Sequence, residues 1–98
     1  MILHTLNKSP DHAALNRCCA AIASDDVLVL LEDGVYCGSA SPGQQISELL
    51  AQDIAVYAIK ADVEARGLAT RMAIGVTIID YTAFVGLCTE QASSKRWG

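Results

Sequence analysis

The sequence predicts a single α/β domain, spanning residues 1–98, in which a mostly parallel sheet is flanked by helices. Three observations carry that expectation. Short apolar runs alternate with segments of helical periodicity, the pattern of parallel strands joined by helical crossovers. The run Val27-Leu28-Val29-Leu30-Leu31 shows no polar alternation, as a strand covered on both faces requires. Ninety-eight residues can enclose one modest core and no more.

The elements follow in order. Ile2 to Leu6 is the first strand. Ser9-Pro10-Asp11 then opens a helix running from Pro10 to about Ala23, with Ser9 as N-cap, Pro10 at the first helical position and Asp11 favoured by the helix dipole. Leu15, Cys18, Cys19 and Ile22 recur at i, i+3, i+4 and i+7, so this helix turns one apolar stripe toward the sheet. Asp25-Asp26 interrupts the pattern, and Val27 to Leu31 is the central strand. A loop follows Glu32-Asp33-Gly34. Ser41-Pro42-Gly43-Gln44 reads as a capping box for a second helix whose inner face is Ile46, Leu49 and Leu50. Ala55 to Ile59 is the third strand, Lys60 to Arg66 a short helix closed by Gly67 at C′, and Val76 to Ile79 the fourth strand. Asp80 caps a last helix with Tyr81, Phe84, Val85 and Cys88 on one stripe. The tail from Ser93 to Gly98 is polar except for Trp97.

Composition excludes several function classes. A net charge of −4 opposes the counterion release that drives nucleic-acid binding, so no direct contact with RNA or DNA is expected. The longest apolar runs fall far short of the roughly 20 residues that cross a bilayer. Met1 to Leu6 carries no basic segment and leads into no long apolar stretch, so a cytoplasmic location is expected. The four cysteines, Cys18, Cys19, Cys37 and Cys88, have no ligand spacing and are expected as reduced thiols, with neither a metal nor a cofactor. Apolar residues make up 52% of the chain, a surplus that points to a surface covered by a partner.

Glycines at 34, 38, 43, 67, 75 and 86 match no phosphate-cradling motif. A cysteine phosphatase would need an arginine a fixed distance after its nucleophile, and those positions hold Ser24, Asp25, Gly43 and Ser94. At the carboxyl ends of the strands, where open parallel sheets gather ligands, stand Glu32, Asp33, Lys60 and Asp80. Each also has a plain structural reading as turn former, helix cap or solvated residue, and that reading is the stronger. A persulfide carrier would need an exposed thiol of lowered pKa. Cys18 and Cys19 lie on an apolar stripe, as Cys88 does, and read better as small core residues; Cys37, in a loop, is the thiol expected to be exposed. His4 and His12 could approach a cysteine only through the fold. Trp97 either folds back on the domain or anchors a subunit interface.

Taken together, Leu3-His4-Thr5-Leu6 with Ser9-Pro10, Leu30-Leu31-Glu32-Asp33-Gly34-Val35, the segment from Tyr57 to Gly67, and Ile79-Asp80-Tyr81-Thr82-Ala83-Phe84-Val85 resemble the TusB/DsrH family over nearly the whole chain. The resemblance implies a DsrE-like layered fold in the smallest of three related subunits of a heterohexamer. Its partners would be TusC/DsrF-like and TusD/DsrE-like chains. It implies a relay of persulfide sulfur through the larger sister's cysteine to a TusE-like acceptor and on to 2-thiolation of wobble uridine in tRNA. Where that sister carries its reactive cysteine, this chain has Ile59-Lys60-Ala61. Some DsrH-like members carry a cysteine in the first helical region, a place that Cys18 or Cys19 could take. The expected role is structural; the alternatives are a subunit carrying persulfide on Cys18, Cys19 or Cys37, and a place in oxidative sulfur metabolism.

Overall fold

A computed structural model describes residues 1–40, 44–90 and 93–98. Five strands, β1 (Ile2–Leu6), β2 (Val27–Leu30), β3 (Ala55–Ile59), β4 (Thr77–Ile79) and β5 (Ser93–Trp97), form one sheet in the order β4-β3-β2-β1-β5. Every pairing is parallel. Among the described residues the helices are α1 (Ala14–Ala21), α2 (Gln44–Ala51), α3 (Lys60–Ala65) and α4 (Tyr81–Glu90), and a 3-10 helix occupies Glu32–Gly38.

Handedness decides which face each helix covers. From β1 through β4 the chain steps across the sheet in one direction, so right-handed crossovers put their helices on one face; the return from β4 to β5 runs the other way and puts α4 on the opposite face. The first face holds the main core. Leu6, Leu28, Leu30, Val56 and Ala58 of the strands meet Leu15 and Cys18 of α1, Val35 and Cys37 of the 3-10 helix, Ile46 and Leu49 of α2, and Val63 of α3. The second face is smaller: Leu3, Val29 and Ile59 are buried there, and Phe84 and Leu87 of α4 pack on them half-buried.

β2 is the central strand, as its unbroken apolar run predicts, and β1 and β3 have the predicted bounds. Asp80 caps α4 by accepting a hydrogen bond from Ala83 N–H at 2.8 Å. Gly67, with φ of 67°, follows α3 at the position where a left-handed residue ends a helix.

Two expectations are corrected, and the tail, given no element from the sequence, gains one. Helix α1 begins at Ala14, not Pro10. The Ser9 hydroxyl bonds the Asp11 carboxylate instead of a backbone N–H, His12 N–H closes a turn on Ser9 O at 3.0 Å, and His12 Nδ1 accepts from Ala14 N–H at 3.0 Å. The stretch after Glu32-Asp33-Gly34, expected as a loop, belongs to the 3-10 helix Glu32–Gly38 as far as Gly38. This helix lies against the end of β1 so closely that a Cβ on Gly34 would stand 1.9 Å from the Leu6 carbonyl oxygen, an approach only glycine permits. The polar tail is strand β5, paired with β1 from Ile2↔Ser93 to Leu6↔Trp97. The capping box over residues 41–43 lies outside the described residues.

Candidate functional site

Neighbouring strands whose onward connections leave toward opposite faces open a crevice at their carboxyl ends. Here β3 leads into α3 on one side and β4 into α4 on the other, and a cleft of about 270 Å³ lies there. Leu31, Glu32, Ile59, Ala61, Asp62, Tyr81 and Phe84 line it. A second cleft, of about 220 Å³, adjoins it over β1 and β5. It is lined by Thr5, Asn7 and Arg96 and shares Leu31, Glu32 and Phe84 with the first.

The rim of the first cleft is tied together by acidic residues and one arginine. Asp62 Oδ2 accepts from Glu32 N–H at 2.8 Å, which holds Glu32 in the left-handed region at φ of 51°. Arg66 Nε donates to Asp33 Oδ1 at 3.0 Å, and its Nη1 stands 3.7 Å from Asp62 Oδ1. The network fastens the 3-10 helix to α3. Of the four polar residues expected at the strand ends, Glu32 reaches the clefts, Asp33 belongs to this network, Asp80 caps α4, and Lys60 is exposed at the start of α3. Tyr81, Phe84, Asn7 and Arg96 were not singled out from the sequence as cleft residues. Their convergence depends on the β4-to-β5 crossover, which spacing along the chain does not reveal.

No thiol lines either cleft among the described residues. Cys18 is buried beneath α1, and burial, reinforced by Cys19, Cys37 and Asp26, pushes its thiol up to about 12. Cys37 was expected to be exposed and is only 2% exposed, because the 3-10 helix turns it into the core, where its Sγ lies 3.5 Å from Lys8 O. Burial, with Cys19 next in effect, pushes the Cys37 thiol up to about 12 as well. Cys19 is half-buried, and burial followed by Glu48 raises its pKa. Such shifts favour the thiol over the nucleophilic thiolate. Cys88, read from its stripe as a core residue, is exposed on α4.

Both ring nitrogens of His4 are engaged, by Asp26 Oδ2 and by the Trp97 indole N–H, each at 2.9 Å, so neither is free for a cysteine. Asp26, which looked like a pattern breaker, is 4% exposed. Burial pushes its carboxyl up, but the N–H of Ala23, the His4 imidazole and the N–H of Ile2 together outweigh it, and the net direction is down. Among the described residues, no cluster of three or more His, Cys, Asp and Glu side chains is arranged to hold a metal ion, and no helix is long and apolar enough to cross a membrane.

Helix α4 is apolar yet has no buried residue. Its predicted stripe does not face the sheet as a whole: Phe84 is half-buried, while Tyr81 and Val85 are 64% and 50% exposed and Cys88 is exposed beside them. Ile78 on the edge strand β4, in register with Ala58 of the main core, is exposed on the other face of the sheet.

A family model described as "DsrH like protein" matches residues 8–94. The chain is 40% identical to Protein TusB of Pectobacterium parmentieri, over 98% of this chain and 100% of that protein. It is 38% identical, with the same coverage, to Protein TusB of Escherichia coli O81. Among solved structures, the YchN protein from E. coli superposes with a TM-score of 0.83 at 22% identity, covering 97% of each chain. Tm0979 from Thermotoga maritima does so with a TM-score of 0.67 at 25% identity, covering 93% of this chain and 94% of that one. Over 97% of its length, then, the chain has the layered fold of the YchN protein.

Proposed function

This chain belongs to the DsrH family, and on that premise we propose that it is a structural subunit of a cytoplasmic sulfur-relay complex that passes persulfide sulfur toward 2-thiolation of wobble uridine in tRNA. The observation that carries the reading is the apolar outer face of α4, which leaves Tyr81 and Val85 in water on a helix that buries none of its own residues. A surface of this kind matches the apolar centre of a permanent interface. The occupants are sister subunits of TusC/DsrF-like and TusD/DsrE-like type in a heterohexamer, with a TusE-like acceptor reached through the complex.

The thiols support the structural half of the proposal. Cys18 and Cys37 are withdrawn into the core with their pKa values raised, so a sulfur atom in transit meets no ready thiolate at either. Of the three cysteines considered as persulfide carriers, Cys19 alone keeps partial access to solvent.

Persulfide transfer tests the assignment. The three subunits are co-expressed, loaded with labelled sulfur, and the label is located by intact-mass and peptide analysis. Label confined to a sister chain is the expected result. Label on Cys18, Cys19 or Cys37 would replace the structural role with that of a persulfide-carrying subunit, and a complex that loads sulfur but fails to restore tRNA thiolation would move it to oxidative sulfur metabolism.

A further inference from the structure

The only tryptophan of the chain and a buried histidine share a hydrogen bond in which the histidine can play just one part. Indole Nε1 donates and never accepts, so His4 Nδ1, 2.9 Å away, is the unprotonated nitrogen. His4 Nε2 then carries the hydrogen and donates it to Asp26 Oδ2 at 2.9 Å. The imidazole and indole rings lie nearly parallel, with centroids 6.2 Å apart and planes 17° apart. Adding a proton at Nδ1 keeps the bond to Asp26 and sets an N–H against the N–H of Trp97. One bond survives and the other becomes a repulsion.

We propose that Trp97, His4 and Asp26 form a proton-operated latch on the C-terminal strand: neutral His4 holds the indole, and with it the end of β5, on β1, while protonated His4 releases the indole and keeps Asp26. The proton comes from solvent and is held at His4 Nδ1; the hydrogen bond from Trp97 is lost, and no other covalent bond is made or broken. The rest of β5 offers little side-chain resistance, since Ser93 to Arg96 are exposed and Trp97 alone packs against the main core.

The charged and titratable groups around His4 act in the same sense. Asp26, on the turn before β2, is bonded by Ile2 N–H and Ala23 N–H as well as by His4, so it stays in place as a carboxylate when the indole leaves. Lys95, opposite His4 in the β1–β5 register, places its Nζ 4.4 Å from the centroid of the Trp97 ring, so a cation already stands close to the indole and adds like charge. Helix α1 brings Arg17, which is exposed, and the thiols of Cys18 and Cys19, both held in the neutral form. The N-terminal ammonium is paired with Asp25 at 3.7 Å. The site is coupled to the second cleft, because Arg96, the residue before Trp97, forms part of its wall with Thr5 and Asn7. Releasing the indole loosens that wall.

The single tryptophan makes the test direct. The full-length chain is titrated from about pH 8 to about pH 5, across which imidazoles take up a proton, while indole emission and far-UV circular dichroism are followed. The expected result is a red shift of emission with the backbone signal unchanged, lost in His4→Gln and retained in His12→Gln. Emission that stays constant, or that moves only together with the circular dichroism, overturns the latch. Should His4→Gln fail to fold, His12→Gln decides: an unchanged red shift leaves His4 as the histidine responsible, and its loss refutes the proposal.

Discussion

The two faces of the sheet differ in how they are covered. On the first, α1, α2, α3 and the 3-10 helix enclose Leu6, Leu28, Leu30, Val56 and Ala58 completely or nearly so. On the second, α4 alone among the described helices meets the strands, with Phe84 and Leu87 half-buried and Tyr81 and Val85 in solvent. The first face is therefore where the chain's own stability resides. The second is only half enclosed by the described residues, as the proposed interface requires. A substitution on either face should reveal which kind of surface it has changed.

The largest expected effect is on the first face. Leu28, wholly buried on the central strand, should cost about 3–4 kcal/mol when changed to Ala, from lost transfer energy and the cavity left behind; denaturant unfolding of the chain measures it. Asp26→Asn comes next, at about 2–3 kcal/mol, because an amide has one acceptor oxygen where Asp26 uses two to take three hydrogen bonds. Its pH dependence has a fixed sign. The folded-state pKa of Asp26 is lowered, so its stabilisation is present above the ordinary carboxylate range and is lost as pH falls through that range toward the depressed value. The stability gap between the native chain and Asp26→Asn, followed by urea melts, should be full near neutrality and close below about pH 4.

Smaller effects belong to the second face. Phe84→Ala should cost about 1–2 kcal/mol, less than Leu28→Ala because the ring is only half-buried, and an equal or larger loss would show the second face to be as much a core as the first. Alkylation followed by mass spectrometry should label Cys88 first and Cys18 and Cys37 last in the isolated native chain. Cys88 should become protected when the sister subunits are present. Val85→Asp should change the stability of the isolated chain by no more than about 0.5 kcal/mol, since the side chain is half in water already.

The contrast also separates what the sequence could tell from what it could not. Local signals were legible: the unbroken run of β2, the stripe of Leu15 and Cys18, the Asp80 cap and Gly67 after α3 all depend on neighbours within a turn or two. Strand β5 was not legible, because Ser-Ser-Lys-Arg-Trp has no alternation of its own and becomes a strand by pairing with β1 at the far end of the chain. Asp26 looked like punctuation for the same reason, its partners Ile2 and His4 being more than 20 residues away. For α4, periodicity announced an apolar face but carried no information on whether the chain's own sheet or another subunit would cover it. The clefts were anticipated as a place, the carboxyl ends of the strands. Most of their lining residues were not, since Asn7, Phe84 and Arg96 meet only after the chain crosses back to β5.

The most direct test of the account is to co-express the Val85→Asp chain with TusC-like and TusD-like sister subunits and determine the mass of the purified assembly by light scattering. The account predicts that the native chain enters one defined complex with both sisters, whereas the Val85→Asp chain, folded and as stable as the native one, stays outside it. A Val85→Asp chain that assembles as completely as the native one would contradict the claim that α4 is the surface through which this subunit serves its complex.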